Sequence, residues 1–157
     1  MWQYVRGDKW AIFWTLVRIY LGYQWLTAGW GKVTGEFSAE GFVRGAIGKA
    51  TGDHPAVQAW YASFLENFAL PNIGLFNFLI PWGEFLVGLG LIIGMFTTVA
   101  LYAGAFMNLN FLLAGTTSTN PILFTLAVIL LAARPASYRY GVDNYLLPRF
   151  RGDKETR

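Results

Sequence analysis

Two charged residues, Arg18 and Glu84, each interrupt a long stretch of apolar residues. At the centre of a bilayer an unpaired charge costs roughly 2.5 to 3.5 kcal/mol on insertion scales, so such residues normally face the interior of a bundle and find a partner. A buried guanidinium can donate hydrogen bonds to a carbonyl or an anion, and a carboxylate in a protected site can transfer protons. The two residues therefore predict either a structural ion pair or a polar ligand pocket within the membrane.

The depth of the two charges indicates that they meet. Counted from the same side of the membrane, Arg18 lies about 12 Å into its apolar stretch, and Glu84 lies about 13 to 14 Å into the next one. Asn108 reaches about 16 to 17 Å in a third stretch. We therefore expect Arg18 and Glu84 to be partners, with Asn108 beside them near the midplane of the bilayer.

The composition is that of an integral membrane protein. Hydrophobic residues make up 55% of the 157 residues and charged residues 13%, whereas a soluble domain carries about 25% charged residues. There is no cysteine and a single histidine, His54, which excludes disulfides, iron–sulfur clusters and bis-histidine haem. We expect neither haem nor metal. The basic residues lie beside apolar stretches and form no separate basic domain, which argues against nucleic acid as a partner.

Four apolar stretches predict four membrane-spanning helices. The first is too long for the apolar part of a signal peptide and is interpreted as an uncleaved helix. The turn at Gly94 is too short for anything except an antiparallel hairpin, and Asn120 and Pro121 form the start of the last span. The fold class is thus an all-α membrane protein, a four-transmembrane-helix bundle in a single domain, 1–157. The predicted spans are about 10–30, 73–93, 97–114 and 119–134.

Lysine and arginine positions predict the orientation. Eight of these residues lie before the first span or at the end of the last one and beyond, and three lie in the long loop after the first span. By the positive-inside rule, both termini and the tail 135–157 are cytoplasmic, and the loop 31–72 is outside.

The outer loop is predicted to contain amphipathic helices. Ser38 can cap a short helix, and Pro55 can begin a second one. Apolar and aromatic residues recur at helical spacing along the second, from Val57 to Phe68. Such a helix either lies in the outer membrane interface or covers the bundle.

Small residues and motifs on the first two spans resemble those of a known family. Gly22 and Gly29 share a helical face with Arg18, Trp25 and Lys32, and Gly88 lies one turn from Glu84. The chain carries the motifs Arg18-x-x-x-Gly22, Gly29-Trp30-Gly31-Lys32 and Pro81-Trp82-Gly83-Glu84-x-x-x-Gly88-x-Gly90. With these motifs it resembles the DoxX/DoxD family of small four-helix membrane proteins of bacteria and archaea, which implies the cell membrane of a prokaryote.

The resemblance implies a quinone-linked redox role. The long outer loop is similar to that of the DoxD-like branch, and DoxD is the large subunit of a thiosulfate:quinone oxidoreductase that works with a separate small subunit, DoxA. Other members resemble accessory subunits of redox-defence complexes. No part of this chain resembles a fused DoxA domain.

Residues and resemblance together give a hypothesis for the site. Arg18 and Asn108 hold a quinone head group, and Glu84 relays protons, which makes Arg18 and Glu84 the candidate catalytic residues. The side chains expected to pack around the ring are Trp14, Trp25 and Trp82. Electrons come from a partner, either a DoxA-like small subunit or a soluble redox enzyme, because the chain has no thiol or metal relay. The other expected partners are membrane lipid and, as an open alternative, further copies of the chain.

Two other functions stay open. A non-catalytic membrane scaffold would use the ion pair only for structure and would recruit a soluble redox enzyme. A small-solute transporter is less consistent with the chain, because four short helices show no clear inverted repeat.

Overall fold

A computed structural model of the chain describes residues 7–134 and 136–151. Those residues form seven α-helices and no strand. A π-helical segment, Leu65–Ala69, continues the third helix, and short 3-10 turns occur at Asp8–Trp10 and Ala136–Tyr138. The α-helices are α1 Ala11–Thr34, α2 Glu40–Gly48, α3 Ala59–Phe64, α4 Ile73–Ile93, α5 Thr97–Leu113, α6 Asn120–Ala132 and α7 Asp143–Arg151.

Helices α1, α4, α5 and α6 pack around one apolar core, and α1 lies closest to α4. Glycines permit this approach. A Cβ atom on Gly29 would overlap the backbone of Phe85, and one on Gly22 would lie 2.9 Å from Leu91 Cβ. The glycine face predicted for the first helix is therefore the face that contacts α4, as small-residue packing requires.

Among the described helices, α4 alone is long and apolar enough to cross a membrane by length and composition. Helices α5 and α6 are apolar but shorter, with 17 and 13 residues. Helix α1 is 24 residues long and carries Arg18 and Lys32 within it. The four predicted spans thus coincide with four packed helices, of which one meets the criterion for a span.

Helices α2 and α3, with the π-helical segment, form an outer layer over the ends of α4 and α5. Ser38 Oγ accepts a hydrogen bond from Glu40 N at 3.3 Å, but the N-cap of α2 is Ala39, one residue later than predicted. The second helix begins at Ala59 and not at Pro55. Along this helix and its two flanks, the buried residues are four positions apart, and the aromatic residues that directly precede the next buried one are exposed to solvent or lipid. The buried residues are Val57, Tyr61 and Leu65, and the exposed ones are Trp60, Phe64 and Phe68.

Candidate functional site

Arg18 is buried, 1% exposed, but its partner is not Glu84. Its Nη1 donates to the carbonyl oxygen of Ser137 at 3.2 Å, and its Nη2 donates to the carbonyl oxygen of Tyr140 at 2.7 Å. The predicted Arg18–Glu84 pair is wrong, because the depth estimate assumed that the two helices start level. In the structure, Arg18 lies against Gly94 at the end of α4, whereas Glu84 lies near Gly29 at the other half of α1.

Arg18 is part of a larger contact that we call the inner clasp, formed by Arg18, Gly94, Ser137, Tyr140 and Asp143. The carboxylate of Asp143 accepts hydrogen bonds from the backbone N–H groups of Phe96 and Thr97, at 2.8 and 2.7 Å. Its own backbone N–H donates to Gly94 O at 2.8 Å. A carboxylate in this position satisfies the free N–H groups at the start of α5 and interacts favourably with the helix dipole.

The turn that the inner clasp stabilises has an unusual backbone conformation. Phe96 has φ +52°, in the left-handed region that side chains other than glycine rarely adopt. It lies two residues after Gly94, which has φ +68°. Asp143, which lies 47 residues after Phe96, stabilises this turn by its hydrogen bonds.

Replacing Asp143 with alanine should therefore lower the stability of the folded protein by about 1 to 2 kcal/mol, the upper part of the range for loss of a helix cap. The measurement is thermal or denaturant unfolding in one detergent. Asn144→Ala is the matched control, because Asn144 is exposed on the same turn. Equal losses in the two variants would show that the cap does not contribute.

Glu84 pairs instead with Lys32. The Glu84 side chain is 3% exposed, and its Oε2 accepts a hydrogen bond from Lys32 Nζ. The Lys32 side chain is 30% exposed, and its Nζ lies 5.7 Å from the centre of the Phe37 ring, within range of a cation–π interaction. The pair joins the last turn of α1 to the middle of α4.

Lys32 and Glu84 line a pocket of about 520 Å³, which we call the Lys32 pocket. It is bounded by α1, α2, α4 and the segment 111–123, which joins α5 to α6, and it contains both aromatic and polar side chains. Its volume is within the range of about 300 to 1,000 Å³ that is usual for small-molecule sites. The aromatic residues are Trp25, Phe37, Phe42 and Phe111, and the polar ones besides the ion pair include Gln24, Thr27 and Asn120.

The family model of DoxX matches residues 13–117 of this chain, from the first turn of α1 to just beyond α5. The chain belongs to the DoxX family. It is accordingly a helical membrane protein of that family, and the match includes both Lys32 and Glu84 but stops before Asp143. No curated protein and no solved structure matches the chain.

In this DoxX-family protein, the predicted site residues are divided between several places. Glu84 and Trp25 meet in the Lys32 pocket. Trp14 belongs to the apolar core, and Trp82 lies on the partly exposed face of α4 with its ring against Phe85. Arg18 belongs to the inner clasp.

Asn108 is fully buried inside the bundle. Neither polar atom of its side chain has a hydrogen-bond partner among the described residues, and the same is true of Trp25 Nε1. That indole nitrogen lies beside Gly104, one turn before Asn108 on α5. Both side chains therefore have free hydrogen-bonding capacity, but of the two only Trp25 lines the Lys32 pocket.

Lys32 is the site residue that the sequence hypothesis did not include. The signal was present, because helical spacing placed Lys32 on the same face of the first helix as Arg18 and Gly22. In the residues that the structure describes, no three histidine or carboxylate side chains come together in a group that could hold a metal ion.

Proposed function

We propose that this DoxX-family protein is a multi-pass membrane subunit that binds a quinone head group in the Lys32 pocket. The observation that carries the proposal is the Lys32–Glu84 ion pair, which lies in a pocket of about 520 Å³ with aromatic walls. In this proposal the donor of the hydrogen bond to the head group is Lys32 and not Arg18. Both terminal nitrogens of Arg18 already donate to carbonyl groups of the inner clasp.

The side chains of the pocket suit a planar ring that carries two carbonyl groups. An ammonium group has three donors, and Glu84 accepts from Lys32 in the structure, which leaves donors for a ligand carbonyl. The rings of Trp25, Phe37 and Phe111 supply flat apolar surface for packing. Pockets with apolar walls and a few polar groups that converge are typical ligand sites.

Glu84 is the residue of the pocket that we assign to proton transfer. A bound quinone supplies the electron acceptor, because two electrons and two protons convert it to a quinol. Electrons come from a partner protein, and the DoxD-like features favour thiosulfate as the donor, with two thiosulfate ions joined to tetrathionate as two electrons leave. Glu84 then passes protons to the head-group site, and Lys32 orients the ring by hydrogen bonding.

A membrane scaffold without catalysis is the second candidate. The observation that favours it is that Lys32 and Glu84 already satisfy each other, so the pair needs no ligand to be stable. In that case the protein would recruit a soluble redox enzyme, and the pair would fix the packing of α1 on α4.

Analysis of lipophilic molecules in the gently purified protein separates these two candidates. A quinone site should retain quinone through purification in a mild detergent, and mass spectrometry of the extract should detect it. A preparation with lipid but no quinone, from cells that contain quinone, would favour the scaffold.

The proposal also places four helices across the membrane with both termini in the cytoplasm. All four carry large apolar side chains that the bundle leaves exposed, as a lipid-facing surface requires. They include Leu16 on α1, Leu86 on α4, Phe106 on α5 and Ile122 on α6.

Cysteine labelling tests this topology, because the natural chain has no cysteine. Cysteines introduced singly at Thr51 and Glu155 should react with an impermeant maleimide in intact cells only at position 51. Both should react after the cells are opened, which controls for accessibility. Labelling of intact cells at 155 but not at 51 would invert the orientation.

A further inference from the structure

A second, smaller pocket adjoins the Lys32 pocket. It has a volume of about 230 Å³ and lies between the outer layer and helices α4 and α5. Phe42, Ile80 and Phe111 line both pockets. These three side chains are therefore a shared wall, and the two pockets are neighbours across it.

The second pocket offers almost no hydrogen bonds to a ligand, because its polar groups bind one another. Tyr61 Oη lies 3.1 Å from both the carbonyl oxygen and Oδ1 of Asn110 and donates to this pair. Asn110 Nδ2 donates to Phe106 O at 2.8 Å. Burial raises the pKa of Tyr61, which keeps its hydroxyl protonated as a donor. What the pocket presents is apolar and aromatic surface.

The rim of the second pocket faces the outside of the bundle. Leu79, Phe64 and Phe106 line the pocket and are also among the exposed large hydrophobic residues. In a membrane, this side of α4 and α5 contacts hydrocarbon chains. The pocket thus connects the apolar exterior of the protein to the wall of the Lys32 pocket.

We propose that the second pocket, which we call the tail slot, binds the isoprenoid chain of the quinone whose head group occupies the Lys32 pocket. The inference rests on the proposed function and adds the class of substrate: a long-chain quinone taken up from the membrane, not a small soluble quinone. The position of the two pockets side by side, with Phe42, Ile80 and Phe111 lining both, supports it. A head pocket with an ion pair and aromatic walls, beside an apolar slot, matches a ligand with a polar ring and a hydrocarbon tail.

The test compares quinones with and without a chain. One probe is 2,3-dimethoxy-5-methyl-1,4-benzoquinone, and the other is the same ring with a decyl chain; a naphthoquinone pair is measured in parallel. Protein-bound quinone is quantified at equilibrium in one detergent. The Leu79→Trp variant places a larger side chain in the slot. Leu75→Trp is the matched control, because Leu75 lies one turn away on α4, outside the slot, and is 50% exposed where Leu79 is 48% exposed.

Leu79→Trp should weaken binding of the chain-bearing probe about tenfold, the equivalent of about two lost methylene contacts, and leave the chainless probe unchanged. Leu75→Trp should alter neither. Equal binding of the chain-bearing probe by the two variants, with normal binding of the chainless one, would overturn the tail slot and leave the quinone function standing. Failure of both probes to bind to the unmodified protein would overturn the proposed function and the tail slot together.

Discussion

Replacing Lys32 with methionine is expected to destabilise the protein by about 3 to 5 kcal/mol, because the substitution leaves the buried carboxylate of Glu84 without its partner. The measurement is unfolding in a fixed detergent, with retention of helix content as the criterion for folding. Replacing both Lys32 and Glu84 with methionine removes the two charges together and should recover most of the loss.

The single and double replacements of Lys32 and Glu84 form a double-mutant cycle, and two other residue pairs provide control cycles. Arg44 and Glu40 form an exposed pair at 2.8 Å on α2, for which a coupling of only about 0.3 to 0.5 kcal/mol is expected. Arg18 and Glu84 make no contact in the structure, so their losses should add. Additive losses for Lys32 and Glu84, or strong coupling of Arg18 with Glu84, would contradict the pairing described here.

The Glu84→Gln variant should lose quinone reduction while it keeps quinone binding. Glutamine retains the approximate shape of the side chain and an oxygen that accepts a hydrogen bond from Lys32, but it cannot transfer a proton. Thiosulfate-dependent quinone reduction, in membranes that contain the chain and its partner protein, should fall roughly 100-fold to 10,000-fold, the usual contribution of a positioned acid or base.

Glu40→Gln is the matched control for that experiment, since it removes a carboxylate from the exposed pair on α2. It should leave the rate of quinone reduction unchanged. Full activity in a well-folded Glu84→Gln protein would exclude Glu84 as the proton donor and would favour the scaffold. Reduction with another donor but not with thiosulfate would overturn only the choice of donor.

The sequence predicted the helices of the bundle because their signals are local. The apolar stretches gave four segments that coincide with α1, α4, α5 and α6. The glycine spacing gave the face of α1 that contacts α4. Even Lys32 could have been assigned to the site, since the spacing that grouped it with Gly22 and Arg18 depends only on helical geometry.

The partners of the buried charges could not be predicted, because they depend on the register in which α1 packs against α4. Arg18 and Lys32 lie nearly four helical turns apart on α1, about 21 Å, so the register of α1 against α4 decides which of them Glu84 faces. The inner clasp depends on contacts that are still more distant in the sequence, between Arg18 and the carbonyl groups of Ser137 and Tyr140. No periodic pattern in the sequence joins residues so far apart.

The proposed function requires that the Lys32–Glu84 pair forms part of a quinone site and is not only a structural pair. The most direct test is mass spectrometry of quinone retained by the wild-type protein and by the folded variant that carries Lys32→Met and Glu84→Met, purified side by side from the same host. We expect near-stoichiometric quinone in the wild-type protein and almost none in the variant, since the variant lacks the ammonium donor of Lys32 that holds the head group. Equal amounts of quinone in the two proteins would contradict it.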